Sequence, residues 1–352
     1  MQIIKVEVTP VELRLKHVAR MADITLDRIT AVFVRMETKQ GQNAWGCAVA
    51  HPDLTGEKPG DLVLACRACA DAVPSLHPTN IEYSMSELTK IVEYGSSALC
   101  AFDLAFHDML GLAVDMPLYR LLGGYRNRIQ TSVTVPLAAV DDSVEIAKNH
   151  AANGFRMLKI KGGVNADEDV KRVRAIHRAL PTLTLRLDAD GGYSVEDAIE
   201  VSRALKGTIE MLEQPTPASE IDRLTQVSRH SAVPVLADQS LTGPESALKL
   251  AALGAVNGFS IKVAACGGLR CARQVDAIAR AAKITTMVSC LIEPALLISA
   301  GLSFALSSEN VSYSDLDGHL DFGNDPTQAG FLLEDGWLIA REIPGLGCSV
   351  NL

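Results

Sequence analysis

From residue 129 onward, short apolar runs recur, and nearly every one closes on a polar residue. Lys161, Asp188, Glu213, Asp238, Lys262, Ser289 and Asp315 follow one another by 27, 25, 25, 24, 27 and 26 residues. One strand with its crossover helix takes roughly 25 residues. The runs are Gln130–Val135, Arg156–Lys161, Leu183–Asp188, Ile209–Glu213, Val233–Asp238, Gly258–Lys262, Thr285–Cys290 and Val311–Asp315. Helical patterns such as Ser143–Asn153 and Leu269–Ala282 lie between them. Short, continuously apolar strands are those of a parallel sheet buried on both faces. Eight in succession predict an α/β fold, a TIM-like barrel whose C-terminal strand ends ring one mouth.

The chain before that repeat reads differently. Val6–Leu15, Thr30–Glu37 and Ala44–Ala50 alternate as strands, with a turn at Gly41-Gln42-Asn43. Lys16–Arg28 reads as a polar, irregular segment between strands, and His51–Gly60 as a loop. Residues 61–123 are mostly helical and stop at Gly123-Gly124. Residues 1–124 thus form an α+β module and 125–325 the barrel. In 326–352 a hairpin pattern turns at Glu334-Asp335-Gly336, has no place in eight barrel units, and is expected to return to the N-terminal module.

Composition sets outer limits. Of 352 residues, 48% are hydrophobic and 21% charged, and the formal charge is −9. That balance suits a soluble enzyme and argues against nucleic-acid or anionic-membrane partners. No run reaches the length of a membrane-spanning helix, and residues 1–20 lack the apolar core of a signal peptide. Eight scattered cysteines suit a reduced, cytoplasmic setting. Cys66-Arg-Ala-Cys69 lies in an Ala-rich helical stretch without a second pair, so it reads as helix packing.

The strand ends carry the chemistry. Asp188, Glu213 and Asp238 close three consecutive strands, and such carboxylates repel without a cation. Hard oxygen ligands with room for water favour Mg²⁺. Lys161 and Lys262, on the second and sixth strands, flank the triad from opposite sides of the mouth. A substrate carboxylate on the metal would have its α-carbon between them. One lysine removes the α-proton, the metal stabilises the enediolate, and the other lysine returns a proton to the opposite face. Lys159 shares a strand face with Lys161. Repulsion between the two ammonium groups, added to desolvation, is expected to lower the pKa of Lys161.

The chain resembles the enolase superfamily, in its muconate-lactonizing subgroup. The resemblance rests on Lys159-Ile-Lys161, Leu185-Arg-Leu-Asp188-Ala, Glu213-Gln-Pro215, Ala237-Asp238, Ile261-Lys262, Cys266-Gly-Gly268 and the stretch from Ala101 to Gly124. It covers essentially the whole chain. It implies a (β/α)₇β barrel capped by the N-terminal region and the C-terminal tail, and a homo-oligomer. It further implies Mg²⁺ on Asp188, Glu213 and Asp238, with Lys161 and Lys262 as acid/base pair and Lys159 tuning Lys161.

Within the subgroup, Asp315-Leu-Asp317-Gly resembles the dipeptide epimerases of the L-Ala-D/L-Glu type. There the Asp-x-Asp holds the ammonium terminus of a dipeptide. Two aspartates on one face suit a cationic group. Thr134, Cys290 and Ile292 also resemble that group. The expected reaction is epimerisation of the C-terminal residue of an L,L-dipeptide. Arg20, in the first capping loop, could meet a side-chain carboxylate, whereas Asp53 to Glu57 would favour a cationic side chain. Two positions depart from the pattern: Asp190-Gly191 stands where Asn-Gln is usual, and Gln239 where Glu is usual. Racemisation, dehydration or cycloisomerisation of another α-amino or imino acid stays open with the same groups. Lys262→Ala separates these, because elimination with the other lysine as its one base can survive the change, whereas two-base epimerisation of both isomers should not. A non-catalytic barrel is disfavoured, since buried like charges cost stability unless used.

Overall fold

A computed structural model of the chain describes every residue except 22–23, 53–55 and 93–96, with the side chains of Arg20, Met21 and Ile24 likewise outside the description. The fold starts with a three-stranded antiparallel sheet of β1 (Ile3–Met21), β2 (Ile24–Thr38) and β3 (Asn43–Ala50). The described residues of Lys16–Arg28 are therefore not irregular. β1 and β2 extend into this segment as paired strands, as far as Met21 and Ile24, with a register shift between Arg14 and Ala19. Its polar side chains are largely exposed on both faces, so no alternation marks it as strand.

Period-2 geometry gives this sheet two buried faces. Val32, Val34, Met36, Ala44 and Ala48 pack against helices α1 (Pro59–Ala72), α2 (Ile81–Thr89) and α3 (Ser97–Ala113). Leu13, Ile29, Ala31, Phe33, Cys47 and Val49 join the barrel core instead. Helix α3 is buried along most of its length. It lies so close to β3 that a Cβ on Gly46 would run into the Ala101 carbonyl. The short helix α4 (Leu118–Leu122) and strand β4 (Arg128–Gln130) lead to the barrel.

Eight parallel strands follow: β5 (Val133–Val135), β6 (Met157–Lys161), β7 (Thr184–Asp188), β8 (Leu212–Glu213), β9 (Val235–Ala237), β10 (Gly258–Lys262), β11 (Thr285–Ser289) and β12 (Val311–Asp315). Seven helices alternate with them: α5 (Val140–Ala152), α6 (Ala166–Ala179), α7 (Val195–Ala204), α8 (Ile221–His230), α9 (Pro244–Leu253), α10 (Leu269–Ala281) and α11 (Ala295–Ser307). The (β/α)₇β order that the resemblance implies is present. The ring closes where Ser132 N–H donates to the Ser314 carbonyl, 3.1 Å. The run Gln130–Val135, expected as one barrel strand, breaks at Thr131 and Ser132. Thr131 N–H turns to the Gly336 carbonyl (2.9 Å), and its hydroxyl takes Leu316 N–H (2.8 Å).

The part before the break, β4, pairs with the hairpin β14 (Phe331–Glu334) and β15 (Trp337–Ala340), after β13 (Thr327–Gln328) and before β16 (Ser349–Val350). The segment beyond it reaches the first module. Leu118 N–H donates to the Gly345 carbonyl (2.8 Å), and Leu346 N–H to Asp108 Oδ1 (2.7 Å). Asp108 Oδ2 takes Trp45 N–H at 2.8 Å. Gly345 has φ +68, and a Cβ there would meet the Asp108 carboxylate. Asp103 on α3 makes a second tie, its Oδ2 accepting Leu269 N–H (2.6 Å) and Arg270 N–H (3.3 Å) at the start of α10. Cys66 and Cys69 are buried on α1, where burial pushes both thiols up, as packing cysteines. Among the described residues no helix is long and apolar enough to cross a membrane.

Candidate active site

Strand register decides which side chains meet at the mouth. Lys161 lies beside Asp188, Asp188 beside Glu213, Lys262 beside Ser289, and Ser289 beside Asp315. Residues two positions earlier on the same face floor the barrel: Met211, Leu236, Met287 and Tyr313 form an apolar plug. Arg186 is buried in that floor. Its Nε donates to Glu210 Oε2 (2.8 Å), its Nη1 to the Ser314 carbonyl (3.0 Å), and its guanidinium stands 5.2 Å from the Tyr313 ring centroid.

Above the floor, Asp188, Glu213 and Asp238 are buried and bring one oxygen each within 4.8 Å of one another. Among the described residues no other cluster of His, Cys, Asp and Glu has metal-binding geometry. Glu213 Oε1 takes the Ser260 hydroxyl at 2.8 Å. Its Oε2 is buried without a hydrogen bond, although Lys159 Nζ makes an unaligned ion-pair contact at 3.0 Å. An orphaned carboxylate oxygen between two further carboxylates fits a hard divalent cation.

The lysines occupy the rim of that triad. Lys159 Nζ contacts Asp188 Oδ2 (2.9 Å), Glu213 Oε2 (3.0 Å) and Asp315 Oδ2 (2.8 Å). Lys161 Nζ reaches Asp188 Oδ2 (2.8 Å) and both oxygens of Asp190 (3.0 and 2.9 Å). Lys262 Nζ is bonded to Asp238 Oδ1. Their strands, β6 and β10, are four places apart in an eight-strand ring, hence on opposite sides.

Burial works against charge on both lysines, with different results. For Lys161, Asp188 and Asp190 outweigh burial and raise the pKa. The lowering expected from Lys159 has the right sign but is smaller than the pull of the two carboxylates. For Lys262, burial and the Lys159 ammonium prevail and the pKa falls. Burial opposes the Asp188 charge as well, but Lys159 and Lys161 hold it well below the usual carboxylate range. Burial pushes Glu213 up.

Asp315 and Asp317 differ in what they hold. Asp315 is already engaged, accepting Lys159 Nζ on Oδ2 and the Ser132 hydroxyl (2.6 Å) on Oδ1. Asp317 Oδ2 accepts Thr134 N–H at 2.7 Å, and its Oδ1 has the Cys290 thiol at 3.8 Å. Burial and the neighbouring Asp315 push Asp317 up to about 7. Thr134 and Cys290 therefore line the same corner, whereas the Ile292 carbonyl takes the His51 ring Nε2 at 3.0 Å. The Arg20 side chain and Asp53 lie outside the described residues. Glu57 accepts Ser97 N–H at 2.8 Å, at the start of α3. Arg186, Ser132 and Ser260 were not singled out from the sequence. Arg186, two places before Asp188, carried a usable signal: it shares that inward face.

Residues 3–123 match the family described as Mandelate racemase / muconate lactonizing enzyme, N-terminal domain, and residues 142–352 match Enolase C-terminal domain-like. The L-Lys-D/L-Arg epimerase of Desulforapulum autotrophicum is 31% identical, over 99% of this chain and 99% of its own. The crystal structure of a dipeptide epimerase from Enterococcus faecalis, complexed with Mg and the dipeptide L-Leu-L-Tyr, superposes with a TM-score of 0.96 at 30% identity, covering 99% of this chain and 100% of that one. A dipeptide epimerase from Methylococcus capsulatus, complexed with Mg and L-Arg-D-Lys, gives 0.94 at 31% identity with both chains fully covered (100% and 100%). With both domains matched in order and a carboxylate triad at the barrel mouth, this chain belongs to the enolase superfamily.

Proposed function

We propose that the protein is a Mg²⁺-dependent dipeptide epimerase that inverts the α-carbon of the C-terminal residue by a two-lysine mechanism. The observation that carries the reading is the pair Lys161 and Lys262 on opposite strands of the ring, each against a member of the triad. Residues 1–124 and 326–352 would act as the cap that shapes the mouth over the barrel of 125–325. Asp188, Glu213 and Asp238 would hold the ion, which when bound polarises the substrate carboxylate and favours negative charge on it.

The protein's own groups then move the proton. A neutral lysine on one face takes the α-proton: the C–H bond breaks, an N–H bond forms, and the electron pair passes into the carboxylate-conjugated enediolate. The ammonium of the opposite lysine returns a proton to the other face. The pair ends with its protonation states exchanged and resets through solvent. Lys159, in contact with Asp188, Glu213 and Asp315, offsets the repulsion among those carboxylates and holds them together. Asp317 would receive the substrate ammonium, with Thr134 and Cys290 beside it.

Incubation of pooled L,L-dipeptides in D₂O with Mg²⁺, read by mass spectrometry, tests the reading. A gain of one mass unit at the C-terminal residue of particular dipeptides supports it and names the side-chain class. Loss of water from a hydroxylated amino acid would transfer the protein to dehydration. No exchange in any pool, with metal binding confirmed by calorimetry, would overturn it.

A further inference from the structure

The two lysines are not held alike. Lys262 has Asp238 as its carboxylate partner, and no other among the described residues. Lys161 has Asp188 and, in addition, both oxygens of Asp190. Asp190 is itself fixed from two directions. Gln239 Nε2 donates to its Oδ1 at 3.0 Å, and its own N–H donates to Asp188 Oδ1 at 3.1 Å. Its backbone has φ +44, in the left-handed region that Asp tolerates better than most non-glycine residues, and this sets the direction of its side chain. The next residue, Gly191, has φ +81 and anchors the turn through its N–H to the Gln214 carbonyl, 2.7 Å. The turn thus aims the Asp190 carboxylate at the lysine.

Asp188 and Asp238 belong to the triad, and a carboxylate engaged by a divalent cation has less pull left for an ammonium. Asp190 lies outside the triad. We propose that Asp190, oriented by Gln239, is a positioning residue that keeps the Lys161 side chain aimed into the mouth in the metal-loaded enzyme, and that Lys262 has no counterpart to it among the described residues. The inference rests on the two-lysine reading for its kinetic consequence, which is an unequal service of the two faces of the substrate.

Crystal structures of the Mg²⁺-loaded native protein and of Asp190→Ala test the clamp without any substrate. The native enzyme should keep Lys161 Nζ on Asp190, and the variant should lose the ordered Nζ while Lys262 stays in place. A Lys161 unmoved in the variant, or bonded elsewhere in the loaded native enzyme, overturns the proposal. The consequence is read by α-deuterium exchange from each of the two epimers, with Lys161→Ala marking the epimer that depends on Lys161. Asp190→Ala should slow exchange from that epimer about tenfold more than from the other, ~1.4 kcal/mol. Asp190→Asn, which retains an acceptor for Nζ, should recover most of the loss, and Gln239→Ala should show a smaller shift of the same sense. Equal loss from both epimers together with weakened Mg²⁺ binding in calorimetry would make Asp190 a mere support of the triad and overturn the proposal. If native protein exchanges neither epimer of any dipeptide, the proposed function fails, while the crystal structures still decide the clamp.

Discussion

Of the pair Asp315 and Asp317, Asp317 keeps an oxygen free of any strong donor, since Asp315 spends both of its own on Lys159 and Ser132. Asp317→Asn should raise KM for dipeptides about ten- to a hundredfold, the worth of a charged hydrogen bond of ~1.5–3 kcal/mol. N-acetylated dipeptides, which lack the ammonium, should be indifferent to the change; an unaltered KM in steady-state assays would remove Asp317 from the site. The carboxyl is raised to about 7 by burial and by Asp315, so it is neutral below that pH and anionic above. kcat/KM, which reports the free enzyme, should therefore climb as pH rises through about 7, and the climb should vanish in Asp317→Asn. At this scale the sequence carried far. The triad and the lysines close apolar runs at even spacing, and period 2 places them on one face. Ser132, Ser260 and the Gln239–Asp190 contact are a different kind of fact. They depend on which strand lies next to which, and nothing local records that.

A helix in the barrel begins on a side chain from the cap. Asp103 supplies the acceptor for two N–H groups at the start of α10, where Gly268 leaves no Cβ to obstruct it. Asp103→Ala should cost about 1–3 kcal/mol, the penalty for orphaning buried donors, read as a lower urea midpoint. An unchanged midpoint would mean that water replaces the carboxylate there. The elements themselves were legible where burial imposes a pattern, as in the eight strands and seven helices. They were not legible at Lys16–Arg28, where both hairpin strands are solvated, nor at Thr131, where one apolar run serves two sheets.

For the molecule as a whole, the buried triad couples stability to the ion it would hold. The triad crowds three carboxylates, and Glu213 is pushed up by burial, so ion binding and folding are linked. The melting temperature should rise with Mg²⁺ concentration, by the equivalent of about 2.7 kcal/mol at a hundred times Kd. Glu213→Gln should lose that response while keeping the fold, as scanning calorimetry would show; a response that persists would place the ion elsewhere. The tail has a consequence of another kind. Leu346 N–H closes on Asp108 across 238 positions of sequence, and β15 completes a sheet begun by β4. A chain emerging from the ribosome has therefore released every barrel strand before Asp108 Oδ1 receives Leu346 and β4 receives β15. Its capping module keeps an open seam until residues 337–346 have been made, and a chain stalled before them would offer that seam to a chaperone or a protease.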